Sequence, residues 1–421
     1  MPLDRNTKIH TYEMVVHRKK SLQKSWWCSN SLNVIGLVDD CWTCRRAVGL
    51  LRLSLLAGLQ LLYFHLSMNT ADTQKAALRR IMDKPNFGMI GRSQEYRQGT
   101  AEQYIMSNLD RLGFNKLDNP TACHIWKDAQ ATTPKVWNSL DTYKKDLDRY
   151  NEIVEKFEPV ASTMNKLRGG DAEQSQICDS LRLHPDGTEG IFRRKQLSFT
   201  TSSGYIEPLL PPMRSHKICD DFKGNLMSLD YLVHDFEYMC RKLKPASRLV
   251  LLDMGASLEF HADESVAPIM TLLKQYEKFG FVFDHIYGFE ITDQDAKKVY
   301  ETLLPEEYIS SYHWINVGVS AREGDKLNPL HSIVKKFDED DFVVVKLDID
   351  TSSVEVPLVR ELLEDKDGVY SKIVDQFYFE HHVHLGELAT SWKTSMNGTV
   401  AESLELFSNL RKKGIPAHFW P

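Results

Sequence analysis

From residue 248 onward, short apolar runs alternate with longer amphipathic ones, and this alternation leaves few folds open to the chain. The apolar runs span residues 248–252, 285–289, 313–319, 342–347 and 376–379, with a last one at 417–420. Between them lie stretches of helical periodicity at 265–279, 294–303, 354–363 and 400–413. Near-continuous apolar runs of this length are what parallel strands look like when both faces are covered. Alternation of strand and helix predicts crossover connections and a doubly wound, mostly parallel α/β sheet. In such sheets ligands sit outside the carboxyl ends of the strands, so the polar residues directly after each apolar run are the candidate functional residues.

The 421 residues exceed what this region needs. Residues 1–46 read as a polar tail, 47–66 as a transmembrane helix, 67–215 as a helical and loop-rich stalk or accessory region, and 216–421 as the α/β domain. The segment 47–66, AVGLLRLSLLAGLQLLYFHL, has the roughly 20 residues that a helix needs to span a bilayer, though Arg52, Gln60 and His65 interrupt it. It implies a single-pass protein, by analogy one of the endomembrane system (Golgi or ER). An amphipathic helix, or an extension upstream of Met68, with a cytoplasmic protein, is the alternative. Lys75, Arg79, Arg80 and Lys84 come soon after the segment and leave its orientation open. Within 67–215, residues 134–167 carry Val136, Leu140, Tyr143, Leu147, Tyr150 and Val154 at helical spacing, and Gly169-Gly170 ends that stretch. Leu229, Leu232, Val233, Phe236 and Met239 predict a further helix leading to Pro245. The net charge of -6, with no Lys/Arg block in the folded part, gives no sign of nucleic-acid binding. Cys41 and Cys44 form a C-x-x-C without a second pair at zinc-site spacing. Cys123, Cys178, Cys219 and Cys240 all lie beyond the hydrophobic segment, and could pair if that part of the chain is lumenal, which the sequence alone does not decide.

The first apolar run turns at Asp253-Met254-Gly255-Ala256-Ser257. A glycine there lets backbone approach a ligand closely, although a structural turn would need one as well. The motif is not G-x-G-x-x-G, so the dinucleotide fingerprint is absent. Glu290 ends the second run, where a carboxylate can accept both hydroxyls of a ribose or can simply cap the turn at Thr292 and Asp293. The third gives Asn316, Gly318 and Ser320. The fourth runs into Asp348 and Asp350, and the fifth into Glu380, His381 and His382. Two Asp and two His at neighbouring strand ends suit a general base, a metal site, or both.

Asp253/Gly255/Ala256, Glu290, Asn316 to Gly324, Lys346/Asp348/Asp350 and Glu380/His381, in that order, resemble the motifs of the FkbM-type S-adenosylmethionine-dependent methyltransferases. Ser257 stands where that family has Asn, and Asp350-Thr351 where it has Glu-Gly. The resemblance covers the C-terminal domain alone. It implies a Rossmann-like sheet of the class I methyltransferase type behind a helical N-terminal extension. It implies S-adenosylmethionine as cofactor, held by Asp253, Gly255, Ala256, Ser257, Glu290 and Asn316. It further implies methyl transfer to an oxygen of a carbohydrate or small metabolite, without a metal, with Asp348, Asp350, His381 or His382 removing the acceptor's proton. Two readings compete with it. Asp348-x-Asp350 after an apolar strand resembles the metal-binding Asp-x-Asp of glycosyltransferases, and a membrane-tethered protein without catalytic function is the third possibility.

Overall fold

A computed structural model describes residues 96, 98–123, 125–126, 134–157, 172–181, 206–210, 213, 216–256 and 268–421. The tail, the segment 47–66 and Ser257 lie outside the described residues. Among those that are described, no helix is long and apolar enough to cross a membrane.

The apolar runs form a six-stranded sheet, β1 (Leu249–Met254), β2 (His285–Phe289), β3 (Tyr312–Ile315), β4 (Phe342–Leu347), β5 (Val374–Phe379) and β6 (Ala417–Phe419), in the order β3-β2-β1-β4-β5-β6. Every neighbouring pair is parallel, including β5 with β6. The sheet is therefore all-parallel and compatible with a Rossmann-like α/β fold. Its central strands are buried throughout: Leu249 to Leu252 and Phe342 to Val345 are at most 1% exposed. Full burial of side chains such as these is worth roughly 1.5–3 kcal/mol each, which is why polar residues are squeezed to the strand ends. The helices α1 (Thr100–Met106), α2 (Pro134–Lys156), α3 (Ala172–Ser180) and α4 (Phe236–Lys242) precede the sheet, and α5 (Pro268–Lys278), α6 (Ser352–Glu364) and α7 (Val400–Lys412) connect its strands.

Three elements differ from their sequence pattern. The third strand stops at Ile315, because the amide of Val317 turns back to the Ile315 carbonyl and the Asn316 side chain bonds to the neighbouring loop. Residues 294–303 form one short helical turn and then a π-helical one. The helix expected through Leu229 and Val233 begins only at Phe236, where the Asp235 carboxylate caps it by accepting from the Tyr238 amide. Leu229, Leu232 and Val233 are buried all the same, in irregular chain.

The described parts on both sides of residue 216 share one buried cluster, which takes Leu140, Tyr143, Leu147 and Tyr150 of α2 together with the strands. Two disulfides, Cys123–Cys219 and Cys178–Cys240, bind these parts covalently. Arg411 of α7, fully buried, donates to the Glu207 carboxylate (2.8 Å), the Glu207 carbonyl (2.6 Å) and the Tyr96 hydroxyl (3.1 Å). His418 of β6 meets the same carboxylate at 2.9 Å. Burial alone would raise the pKa of Glu207, but His418 and Arg411 outweigh it and hold the group below the usual carboxylate range. His234 packs in the same region, its Nε2 2.6 Å from the Tyr378 hydroxyl, and burial, reinforced by His418, pulls its pKa down to about 3.

This packing makes stability sensitive to reductant and to acid. The disulfides close loops with sequence separations of 96 and 62 residues, and each should contribute about 4 kcal/mol through the unfolded state. Reductant should lower the thermal midpoint markedly, and a midpoint unmoved by reductant would show the bonds to be absent. As for pH, His234 is neutral in both folded and unfolded chains above pH 6.5. Below that the unfolded chain takes up a proton that the folded chain refuses until about pH 3, so stability falls as pH falls. At pH 5 the loss should be on the order of 2 kcal/mol. A His234→Gln variant should show a smaller drop in midpoint between pH 7 and pH 5, and an equal drop would remove His234 as its source.

Candidate functional site

The carboxyl ends of β1, β4 and β5 open into a cleft of about 190 Å³ whose lining includes Asp253, Gly255, Lys346, Asp348, Asp350 and Glu380. Its other walls come from Leu226 and Met227 upstream of the sheet, from Trp392 after β5 and from Trp420 after β6. In the observed strand order the cleft sits where the winding reverses between β1 and β4, the place at which parallel α/β sheets bind ligands.

Gly255 shapes the floor. Its φ is +92°, and a Cβ built there would lie 1.6 Å from the Asp348 carbonyl oxygen, so the turn after β1 crosses over the end of β4 with no room for a side chain. The amides of Gly255 and Ala256 both donate to the Phe289 carbonyl of β2, at 3.0 and 2.9 Å. Ala256 is fully buried. These two amides therefore fasten the turn to β2 and do not point to a ligand.

Lys346 lies beneath the turn, in the middle of three acidic or carbonyl oxygens. Its Nζ is 3.0 Å from Asp253 Oδ1 and 3.2 Å from Asp348 Oδ2, and it donates to the Gly255 carbonyl at 3.0 Å. Burial disfavours its charge, yet Asp253 and Asp348 more than compensate and raise its pKa. Asp348 moves the other way from an ordinary carboxylate. Burial lifts its pKa well above the usual range; Lys346 opposes this, while Glu380 and Asp350 add to it. Asp348 thus takes up a proton more readily than an ordinary carboxylate, with Glu380 as the neighbouring acid that adds to this.

The fifth strand end divides its residues by face, as side chains alternate along extended backbone. Glu380 Oε1 accepts from the Trp392 indole at 3.0 Å, and its Oε2 is 3.1 Å from His382 Nε2. His382 Nε2 is also 3.5 Å from Asp350 Oδ1, and the ring stacks on Trp392 with centroids 4.7 Å apart. Asp350 itself adopts φ +54° and projects into solvent, with its side chain 78% exposed. Asp348, Asp350 and His382 therefore converge. His381 does not join them: its Nδ1 meets Ser403 of α7 at 3.0 Å, its ring stacks on Phe379, and burial pulls its pKa down to about 3. It is a packed residue on the far face, apart from Asp348, Asp350 and His382.

Glu290 comes directly after β2, on the same carboxyl edge as Gly255 but outside the cleft lining, and its carboxylate accepts from the Thr292 amide at 2.6 Å. Asn316 acts on this loop. Its amide nitrogen donates to the carbonyls of Glu290 and Thr292, both at 2.7 Å, and its oxygen accepts from the Gln294 amide at 2.9 Å. Asn316 is thus a clip that positions Glu290. Beside it, Ile291 is 78% exposed, an apolar side chain presented at the rim. Glu355 was not legible as a site residue. It sits in the first turn of α6, buried, accepts from the Ile349 amide at 2.9 Å and so holds the loop carrying Asp350; burial raises its pKa to about 7. Trp392 and Trp420 were also missed, being isolated aromatics far from any motif. Lys346 stood in the motif, and its own chemistry could have been suspected from a lone charge in an apolar run.

Compared with known proteins, no family model, curated protein or solved structure matches this chain.

The floor of the cleft should be intolerant of change. Lys346→Met should cost ~3–5 kcal/mol, because it leaves Asp253 and Asp348 buried without their cation. Adding Asp253→Asn to that variant should recover part of the loss. Urea unfolding measures both, and a double variant that is no more stable than Lys346→Met would contradict the pairing.

Proposed function

We propose that the chain is an S-adenosylmethionine-dependent methyltransferase that acts on an oxygen of a carbohydrate or small-molecule acceptor. The observation that carries this reading is an acidic-x-Gly turn at the floor of an acidic cleft on the carboxyl edge of a parallel sheet, with the Glu290 carboxylate after β2 on the same edge. Gly255 lets the turn lie against the end of β4, where it lines the cleft. Glu290, clipped by Asn316, offers an acceptor for the paired hydroxyls of a ribose, and Ile291 an apolar surface for a purine face. Asp253 is 1% exposed and paired with Lys346, so it supports the turn from below. Trp392, Trp420 and Met227 wall the cleft on its apolar side.

Methyl transfer asks little covalent chemistry of the protein. The acceptor oxygen loses its proton to a group in the cleft and attacks the methyl carbon. When bound, S-adenosylmethionine would supply the activated methyl group and be released as a neutral thioether. The protein must align the acceptor and receive the proton. Asp350, which lines the cleft, would receive it, with His382 directly behind. The Asp-x-Asp glycosyltransferase reading is weaker, because Asp348 is engaged by Lys346 at 3.2 Å and so is not paired with Asp350 around a pyrophosphate-bound metal. The two disulfides support an oxidising compartment for the part of the chain that carries them, in keeping with a membrane anchor at 47–66 and a lumenal domain.

Calorimetric titration with S-adenosylmethionine should give saturable binding, weakened by ~1.5–3 kcal/mol in Glu290→Ala, the cost of losing a charged acceptor. Heat from a nucleotide sugar with manganese, and none from S-adenosylmethionine, would transfer the assignment to a glycosyltransferase.

A further inference from the structure

Three electron-pair donors, Asp350 Oδ1, Glu380 Oε2 and His382 Nε2, face one another at the mouth of the cleft. The arrangement is deduced from Ser395. Its hydroxyl has one proton, and it donates that proton to the Trp392 carbonyl at 2.6 Å. His382 Nδ1 lies 2.5 Å from the same oxygen, so the imidazole must be the donor of that bond, and Nδ1 carries the ring proton. In the neutral ring Nε2 then presents its lone pair to Glu380 Oε2 at 3.1 Å and Asp350 Oδ1 at 3.5 Å. His382 is 2% exposed, and Nε2 makes no hydrogen bond. A buried nitrogen aimed between two carboxylate oxygens, with no hydrogen bond of its own, calls for a positive charge among them.

We propose that Asp350, Glu380 and His382 form a binding site for a first-row divalent cation, open towards the cleft. One ligand atom from each residue lies within 4.8 Å of the others, and His382 Nε2 is 3.1 Å from Glu380 Oε2 and 3.5 Å from Asp350 Oδ1, separations that an ion with bonds of ~2.0–2.3 Å can bridge. Two carboxylate oxygens and one imidazole nitrogen suit manganese or zinc better than a soft thiolate-seeking ion. The surroundings are those of a metal-ligating histidine: the second ring nitrogen is tied down by Ser395, which a backbone carbonyl orients in turn. Glu380 is fixed by the Trp392 indole, and Asp350 is exposed, so coordination positions remain for water or for an oxygen of the acceptor. Asp348 stays outside the ligand set, held by Lys346. Where the methyltransferase reading holds, the ion would polarise the acceptor's hydroxyl, but the site itself does not depend on that reading.

The test is manganese binding to the full-length protein without any cofactor, read from the loss of the free-ion electron paramagnetic resonance signal. One ion per chain should bind and raise the thermal midpoint. His382→Ala and Glu380→Gln should each lose at least about tenfold in affinity, and Ser395→Ala, which leaves all three ligands in place, about 10- to 100-fold. Asp348→Asn should retain the ion, which separates this site from an Asp-x-Asp pair. Should a ligand variant fail to fold, Ser395→Ala and the manganese-induced shift of the wild-type midpoint decide the matter. No uptake by the wild type at millimolar manganese, or affinity unchanged in folded His382→Ala or Ser395→Ala, overturns the proposal; the first result would assign the space to a proton. Because no S-adenosylmethionine is present, either result leaves the methyltransferase assignment to its own titration.

Discussion

One buried ammonium holds the working edge of the sheet together. Lys346 reaches from β4 to the Asp253 carboxylate of β1, to Asp348 at its own strand end and to the carbonyl of Gly255 in the turn above. Each of these groups would be costly to bury alone. Together they fix the spacing of two strand ends and the height of the turn that crosses them. The cluster also leaves a surplus of negative charge. One ammonium faces Asp253 and Asp348, while Glu380 and Asp350 lie just beyond, and burial together with these two raises the pKa of Asp348. The floor of the cleft is rigid for electrostatic reasons, and its mouth is where charge remains to be balanced.

The walls depend on chain far from the sheet. Leu226 and Met227 belong to an irregular segment that Cys219 joins to Cys123, and the Tyr231 hydroxyl donates to the Phe419 carbonyl at 2.7 Å. Trp420 comes just after β6, which His418 and the Arg411–Glu207 pair lock to residues near position 207. The region before residue 216 therefore helps to set the shape of the cleft. Residues 134–157 do not hang beside the domain as a separate stalk, because their apolar face is part of its core.

How much of this could be read from the sequence divides along physical lines. The strands of the sheet were legible because burial on both faces excludes polar residues from them, leaving continuous runs such as Phe342 to Val345. Burial without regular structure was not legible, and Leu229, Leu232 and Val233 mimicked a helix because their spacing matched one. At the site, position after a strand correctly singled out Asp348, Asp350 and His382 as neighbours. It could not separate His381 from His382, since that choice rests on which face the chain presents as the strand ends. It also could not show that Asn316 fastens the loop of Glu290 through three hydrogen bonds. Tryptophans contributed by distant segments, and the pairing of four cysteines, depend on tertiary proximity that no local pattern encodes.

The two disulfides interleave: Cys178 lies inside the span closed by Cys123 and Cys219, and Cys240 lies outside it. Residues 182–205 fall within both spans. A peptide bond cut anywhere in that stretch would leave two polypeptides joined at two points, with the sheet and its cleft on one and α1, α2 and α3 on the other. Proteolytic processing there would convert the protein from one chain to a covalent heterodimer without releasing either part, and only a reducing environment would let the pieces come apart.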